Sequence, residues 1–356
     1  MNSLILTINP GSTSTKISLF EGEASLWGET LRHDPQVLAK WDRVAEQYAF
    51  RKAAVLAALE AHAASLADLT AVVGRGGILK PMCGGTYKIN NLMLQELHQG
   101  KWGEHASNLG AILAHAIAEP LGIPCFIVDP TTVDEMEPVA KITGIPELTR
   151  KSIFHALNQK AVARRTAEKL SKDYGNCRLV VAHLGGGISV GAHLNGRVVD
   201  VNNALDGEGP FTPERSGGLP VGDLLRLANS GKFTLEEMQK RINGKGGLVA
   251  YLGTNDAQLI GERAQQGDEQ AKLLLQAMAY QVAKEIGACA TVLQGQIDAI
   301  VITGGLAHSA LLVEEITKSI SYLGKIFIFP GEDEMQALAD GGRRILSGQE
   351  QSKDYA

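Results

Sequence analysis

The chain predicts a two-domain α/β fold in which one strand–turn–strand plan is used twice. Three observations carry that expectation. A chain of 356 residues with 44% hydrophobic content is longer than one core usually organises and has enough apolar side chains for two. A short β-branched run at residues 4–8 breaks at Asn9, Pro10 and Gly11, then resumes alternation at Lys16, Ser18 and Phe20. The same grammar returns at residues 179–182, followed by His183, Leu184, Gly185, Gly186 and Gly187 and a returning strand at 188–193. On this alignment His183 falls on Asn9 and Gly185 on Gly11.

Each half also carries apolar strands that end in glycines or acids. Residues 69–73 lead into Gly74, Arg75, Gly76 and Gly77, and residues 125–128 form a continuous apolar strand that delivers Asp129 at its carboxyl end. Residues 299–303 before Gly304 and Gly305, and 325–329 before Pro330, Gly331, Glu332, Asp333 and Glu334, echo these two. Two such α/β units are expected to face each other across a cleft.

Between the landmarks, residues 25–31 form a third strand after the turn at Glu21, Gly22 and Glu23. Residues 51–66 are Ala-rich and helix-favouring, and 105–118 show helical spacing that Pro120 stops. Ser152 to Ala156 opens a helix to Leu170, placing His155 near its start. Asn195 and Gly196 signal a hairpin before a strand at 197–201. Residues 206–220 are too rich in Gly and Pro for regular structure, and read as an ordered functional loop carrying Arg215 or as a flexible lid. Thr234 with Glu237 is a capping box. Residues 272–293 form a core helix, since Lys284 and Glu285 interrupt its apolar surface.

Composition excludes several functions. A net charge of −5, a pI near 6.0 and no Lys/Arg block argue against nucleic acid as a partner. There is no apolar run of about 18 residues, the length a membrane span needs, and residues 4–8 are too short and lack the basic flank of a signal peptide. The expected location is the cytoplasm. Four cysteines, Cys83, Cys125, Cys177 and Cys289, stand singly, which fits a reducing compartment and inert thiols.

The turn after the first strand concentrates Asn9, Gly11, Ser12, Thr13, Ser14, Thr15 and Lys16, where backbone N–H groups are least occupied. A polar hairpin turn and a phosphate cradle are both open from that stretch alone. With a second glycine turn, two arginines among glycines and acids at Asp129 and Glu334, the chain holds the parts that phosphoryl transfer needs. Donors and cations neutralise the transferred group, and carboxylates hold Mg²⁺. Each Gly–Lys pair, beginning at Gly100, Gly231, Gly244 and Gly324, lacks a following Ser or Thr, so a P-loop is excluded. No Gly-x-Gly-x-x-Gly opens a helix after the first strand, which weakens a dinucleotide reading.

The ordered set of Asn9, Gly11, Ser12, Ser14 and Lys16, then Gly74 to Gly77, Val128 to Met136, Phe154 and His155, His183 to Gly187, Phe211 to Gly217, and Thr303 to Gly305 resembles the acetokinase family, in its butyrate kinase branch. The resemblance spans nearly the whole chain. It implies the duplicated ribonuclease-H-like fold shared by acetate and sugar kinases, actin and chaperone ATPases. The expected domains are residues 1–153, on the acyl and phosphate side, and 154–356, on the nucleotide side, with a C-terminal helix at about 338–356 packing back on the first.

By the same resemblance, Arg75, Asp129, His183, Arg215 and His155 are catalytic candidates. Asn9, Ser12, Ser14, Lys16, Gly76, Gly77, His105, Phe154 and Pro213 are candidates for substrate and phosphate. Gly185, Gly186, Gly187, Gly304 and Gly305 are assigned to ATP or ADP, and Asn9, Asp129 and Glu334 to Mg²⁺. Acetate kinases place bulky residues after the first arginine, so Gly76 and Gly77 are expected to leave room for a longer acyl tail. Gly186 stands where they carry Asn, so one phosphate contact is expected to be lost. A homodimer or larger homo-oligomer is expected on the resemblance alone.

A carboxylic acid with a pKa of about 4 to 5 is ionised at pH 7 and attacks phosphorus without a general base, whereas a sugar hydroxyl usually needs one. Asp129 therefore stays ambiguous, since an aspartate serves as that base in a sugar kinase. The expected reaction is butanoate plus ATP to butanoyl phosphate plus ADP. An acetate, propionate or branched-chain acid kinase is the alternative within enzymes, and an actin-like or chaperone-like ATPase switch is the alternative outside them.

Overall fold

The computed structural model describes residues 3–356. It divides into two compact units, one comprising the chain up to Val133 together with Asp333–Ala356, the other Asp134–Glu332. The boundary expected at 153/154 thus moves to 133/134. Residues 134–153 are bonded into the second unit. The Arg150 guanidinium donates to Asp200 at 2.8 Å and to the Val201 carbonyl at 3.0 Å, Glu137 N–H to Val199 O at 2.9 Å, and Ala204 N–H to Ile153 O at 2.9 Å.

In the first unit β1 (Leu4–Pro10), β2 (Ser14–Glu21), β3 (Ala24–Arg32), β4 (Ala71–Arg75), β5 (Thr86–Lys88) and β6 (Cys125–Val128) form a sheet of order β3-β2-β1-β4-β6-β5. β1 is antiparallel to β2 and parallel to β4, which is parallel to β6. Strand periodicity then assigns the faces. Leu6, Ile8, Val72 and Ile127 pack with the helices Tyr48–Ala61 and Asn108–Ala118. Ile5, Val73 and Val128 meet the helix Glu334–Leu346, whose Gly341 and Gly342 lie against Val128 and Val73.

The second unit repeats the plan. β7 (Arg178–Leu184), β8 (Ile188–Leu194), β9 (Arg197–Val201), β10 (Ala299–Gly304) and β11 (Ile326–Pro330) order as β11-β10-β7-β8-β9. Read from the hairpin outward, this is the arrangement of β3-β2-β1-β4-β6 with the same parallel and antiparallel pairs. Even the bulge recurs, at Leu19/Phe20 in one sheet and Ala192/His193 in the other. The central strands are apolar on both faces because both are covered. Val180, Ala182, Ile300 and Ile302 pack on the helix Glu269–Val292, while Leu179, Val181, Ala299 and Val301 pack with Val162, Ala163 and Ala167 of the helix Ala156–Lys169. Sequence reasoning missed β5 and the helix Asn91–Gln99, the first being too short to show alternation. Among the described residues no helix is long and apolar enough to cross a membrane.

Close helix–sheet approach depends on glycine. A Cβ at Gly74 would lie 2.2 Å from the Gly110 carbonyl, and one at Gly110 2.3 Å from the Arg75 carbonyl, so the strand that delivers Arg75 touches its helix backbone to backbone. Alanine in a helix is normally favoured over glycine by about 1 kcal/mol. At Gly341, however, a Cβ would sit 2.4 Å from Val128, and overpacking of this kind costs about 1–3 kcal/mol, so the clash outweighs the propensity. Gly341→Ala is therefore expected to lower the melting temperature. Gly287→Ala, in open space on the helix Glu269–Val292, is expected to raise it. Equal shifts of one sign in thermal denaturation would contradict this.

Candidate functional site

In open α/β sheets, ligands bind outside the carboxyl ends of the parallel strands. In the first unit those ends present Asn9 from β1, Arg75 from β4 and Asp129 just after β6. The opening residue of the helix Glu334–Leu346 joins them. Asn9 Nδ2 donates to Glu334 Oε2 at 2.6 Å, and Arg75 Nη1 pairs with Glu334 Oε1. Burial works against the charge on Glu334, but Arg75, Asn9 and Lys16 overcome it and hold the pKa below the usual glutamate value. Asn9, Arg75 and Glu334 are thus one bonded set, with Lys16 close enough to act on it.

His105 is positioned through Ser107, whose N–H (3.2 Å) donates to Nδ1 and whose hydroxyl lies 2.9 Å from it. Desolvation and the nearby Arg75 charge lower its pKa.

Asp129 follows directly on β6. It is buried, its backbone takes a left-handed φ of 38°, and its side chain accepts the Gly85 N–H at 2.6 Å while its own N–H donates to Gly85 O at 3.0 Å. The carboxylate thus fastens the loop before β5 to the end of β6. Among the described residues no three His, Cys, Asp or Glu side chains gather as a metal cage.

Beside Arg75, Gly76 and Gly77 lie close to their protein neighbours. A Cβ on Gly76 would lie 2.6 Å from the Pro130 Cβ, and one on Gly77 2.5 Å from Asn108 and 2.8 Å from Leu97. The missing side chains thus admit close neighbouring protein atoms in the Cβ direction.

The β1–β2 turn has a feature that sequence reasoning passed over. Arg51, fully buried on the helix Tyr48–Ala61, donates to Gly11 O and Ser14 O at 2.9 Å, to Ser12 O and Thr15 Oγ1 at 3.1 Å, and to Gln47 Oε1. Every acceptor is a neutral oxygen. Burial lowers the Arg51 pKa, and burial, helped by the Arg51 charge, lowers that of His33, which lies 2.8 Å from Thr15 Oγ1. The turn's carbonyls are thereby tied inward, leaving Ser12 exposed and Ser14 half-buried at the surface. A sequence signal existed: Arg51 shares the buried stripe of Val55, Ala58 and Leu59 at helical spacing.

The second unit builds its site around the turn after β7. His183 is buried, with Nδ1 2.7 Å from Asn158 Oδ1 and Nε2 3.7 Å from Glu332 Oε1. The His155 ring stacks on it at 3.8 Å between centroids and 11° between planes. Phe154, beside His155, is buried in packing and presents no polar side-chain group.

The loop 206–220 is folded on itself rather than extended as a strap. Thr212 Oγ1 accepts the N–H groups of Glu214 (3.2 Å) and Arg215 (2.9 Å) and donates to Gly186 O at 2.6 Å, while Pro213 O accepts the Val249 N–H. Arg215 consequently lies on the glycine turn. A Cβ on Gly187 would fall 2.1 Å from its Nη1 and 3.1 Å from His155, so any side chain there would displace the guanidinium. Arg215 Nη1 donates to Ala204 O at 2.7 Å, but its buried Nε–H has no acceptor, and desolvation lowers its pKa against a smaller opposing effect of Glu214. Buried donors without an acceptor are rare in folded proteins.

Nearby, Gly304 and Gly331 exchange N–H to carbonyl bonds at 3.0 Å, and Gly304 at φ 92° leaves no room for a Cβ beside Leu184. Gly305 faces open space. His155, His183, Gly185, Gly187 and Arg215 are therefore brought together, with Gly304 and Gly305 on the adjoining strand end.

A sequence profile described as the Acetokinase family matches residues 142–354. The chain is 56% identical over 355 residues, 100% of both chains, to Butyrate kinase 2 of Clostridium acetobutylicum. Its fold is similar to that of Porphyromonas gingivalis acetate kinase, with 21% identity, a TM-score of 0.76 and coverage of 96% of this chain and 99% of the other. A propionate kinase from Francisella tularensis gives 19% identity, a TM-score of 0.73 and coverage of 95% and 98%. The fold is the duplicated ribonuclease-H-like one.

Arg51→Ala would strand the carbonyls of Gly11 and Ser12, each worth about 1–3 kcal/mol when buried without a donor, and would leave Ser14 O with the Gly11 N–H alone. Amide hydrogen exchange across residues 11–15 is expected to accelerate strongly, with Arg51→Lys intermediate and β7–β8 unchanged. Unaltered exchange in the turn would refute the clamp.

Proposed function

Because the chain belongs to the acetokinase family, we propose that it transfers the γ-phosphoryl group of ATP to the carboxylate of butanoate, giving butanoyl phosphate and ADP reversibly and by direct in-line attack. What carries the reading is the 56% identity to a butyrate kinase along the whole chain. The site chemistry agrees with it. A carboxylate nucleophile is already ionised at neutral pH, so no general base is required, and the engagement of Asp129 with Gly85 removes nothing that the reaction needs.

The work then falls to donors and cations. Arg75 and Arg215 balance the acyl carboxylate and the transferred group, and His155 and His183 hydrogen-bond to that group. The turns at Ser12–Ser14 and Gly186–Gly187 offer backbone N–H groups to phosphate oxygens, with Gly185 closing the second turn, and Gly304 and Gly305 belong to the nucleotide.

Mg²⁺ prefers one or two carboxylates together with phosphate oxygens and water. The donor set at Glu334 and Asn9 suits that: one ionised carboxylate and one amide oxygen, with no protein cage. When bound, the ion would neutralise charge on the phosphates. Arg75, paired with Glu334 in this structure, must share or exchange that partner when an anionic substrate arrives. A homo-oligomer remains part of this proposal.

Trapping acyl phosphate with hydroxylamine over acids of increasing chain length tests the reading. Hydroxamate that depends on acid and peaks at four carbons is expected. A peak at two or three carbons would reassign the substrate, and acid-independent phosphate release would replace the kinase with an ATPase switch. Arg75→Ala and Arg215→Ala are each expected to lower turnover by roughly 10³-fold or more, equivalent to about 4 kcal/mol. Near-normal turnover in both would sink the assignment.

A further inference from the structure

The stacked pair His155 and His183 is held by neighbouring residues of one helix, Asn158 and Gln159, and each of these is anchored on a backbone carbonyl. A carbonyl only accepts, so it fixes which end of the amide faces it, and that choice propagates. Gln159 Nε2 lies 2.9 Å from Ser189 O and is therefore the NH₂ end. Its second N–H goes to Ser189 Oγ at 2.8 Å, and the His155 backbone N–H also points to that oxygen at 3.5 Å. A hydroxyl has two lone pairs and one proton. Both lone pairs are engaged, so the proton goes to His155 Nδ1, 2.9 Å away.

At the other end, Gln159 Oε1 faces His193 Nε2 at 3.0 Å, which must donate, and His193 Nδ1 accepts the Tyr174 hydroxyl at 2.8 Å. Full burial and the positive charges of Lys160 and Arg164 push the His193 pKa well down, so it serves this chain as a neutral ring.

His183 is set the opposite way. Asn158 Nδ2 donates to Glu332 O at 2.8 Å, so Oδ1 faces His183 Nδ1 at 2.7 Å and accepts its proton. We infer that the two stacked imidazoles are locked in opposite neutral tautomers, His155 protonated on Nε2 and His183 on Nδ1, with Gln159, Ser189, His193 and Tyr174 positioning the first and Asn158 the second. Neutral His155 is a donor at Nε2, whereas neutral His183 presents a lone pair at Nε2 and donates there only as the imidazolium.

The tautomers stand on hydrogen-bond accounting alone, and only their use in catalysis rests on the proposed phosphoryl transfer. On that use, His155 is the permanent donor to the transferred group, and His183 donates to it only as the imidazolium.

Long-range proton–nitrogen correlation spectra of the full chain, histidine-labelled with nitrogen-15 and recorded without substrate above the titration of both rings, test this directly. Signals are assigned by their loss in His155→Gln and His183→Gln. His155 is expected to show a pyrrole-type Nε2 and a pyridine-type Nδ1, and His183 the reverse. Either ring in the other form overturns the inference.

Gln159→Glu offers acceptors only, so the Ser189 hydroxyl turns to it and His155 must donate from Nδ1. The His155 pattern is expected to reverse, and kcat to fall about 10²-fold with little change in KM, the scale of losing one donor to a developing charge. Asn158→Asp still accepts from His183 Nδ1 and is expected to leave the His183 pattern unchanged. A purely structural role would lower activity without reversing any tautomer. If acyl phosphate is not formed while the tautomers hold, the reading of function falls and this one stands.

Discussion

A turn that offers N–H groups to an anion must place its carbonyl oxygens elsewhere, and in the first unit a single buried guanidinium receives them. Arg51 collects the carbonyls of Gly11, Ser12 and Ser14 without any carboxylate to balance its charge. Desolvating a cation is expensive, and this one is tolerable only because its N–H groups all find oxygen. The arrangement couples helix to turn. Arg51 lies in the same buried stripe as Val55, Ala58 and Leu59, so the packing of the helix Tyr48–Ala61 sets where the guanidinium sits, and the guanidinium sets the shape of the turn.

The second unit meets the same requirement with different chemistry. Its turn also follows a central strand and also closes on itself, Gly185 N–H to Gly187 O at 3.0 Å where the first has Gly11 N–H to Ser14 O at 2.8 Å. Its carbonyl partner is the Thr212 hydroxyl, supplied by a loop that also carries Arg215. One sheet plan therefore supports two unlike sites. The strand order fixes only where the turns emerge, and the residues behind each turn decide what it presents.

Much of this was legible in sequence. The strands that end in Asn9, Arg75, Asp129, His183 and Gly304 announced themselves by β-branched runs broken at glycine or by polar residues, because covered central strands need apolar residues on both faces. The histidines and arginines were legible through resemblance. Their supports were not: Gln159, Ser189 and His193 are ordinary polar residues whose meaning comes from β8 lying beside the helix Ala156–Lys169. The segment 134–153 was misassigned for a similar reason, since its hydrogen bonds run to residues some fifty positions later. Gly76 and Gly77 illustrate another limit of sequence: their closeness to Pro130, Asn108 and Leu97 in the Cβ direction is visible only in the fold.

The two arginines of the candidate sites differ in how their charge is met, and the difference bears on what each contributes. Arg75 already has a carboxylate partner in Glu334, so an arriving anion competes with an existing ion pair and gains only the difference between them. Arg215 is desolvated, donates one bond to a carbonyl and keeps a buried Nε–H without an acceptor. For that group, an anion replaces nothing. The desolvation cost of that guanidinium is met in folding, so its place beside the glycine turn is fixed by the protein alone. Gly187 is the condition for this, because any side chain at that position would occupy the place of the guanidinium.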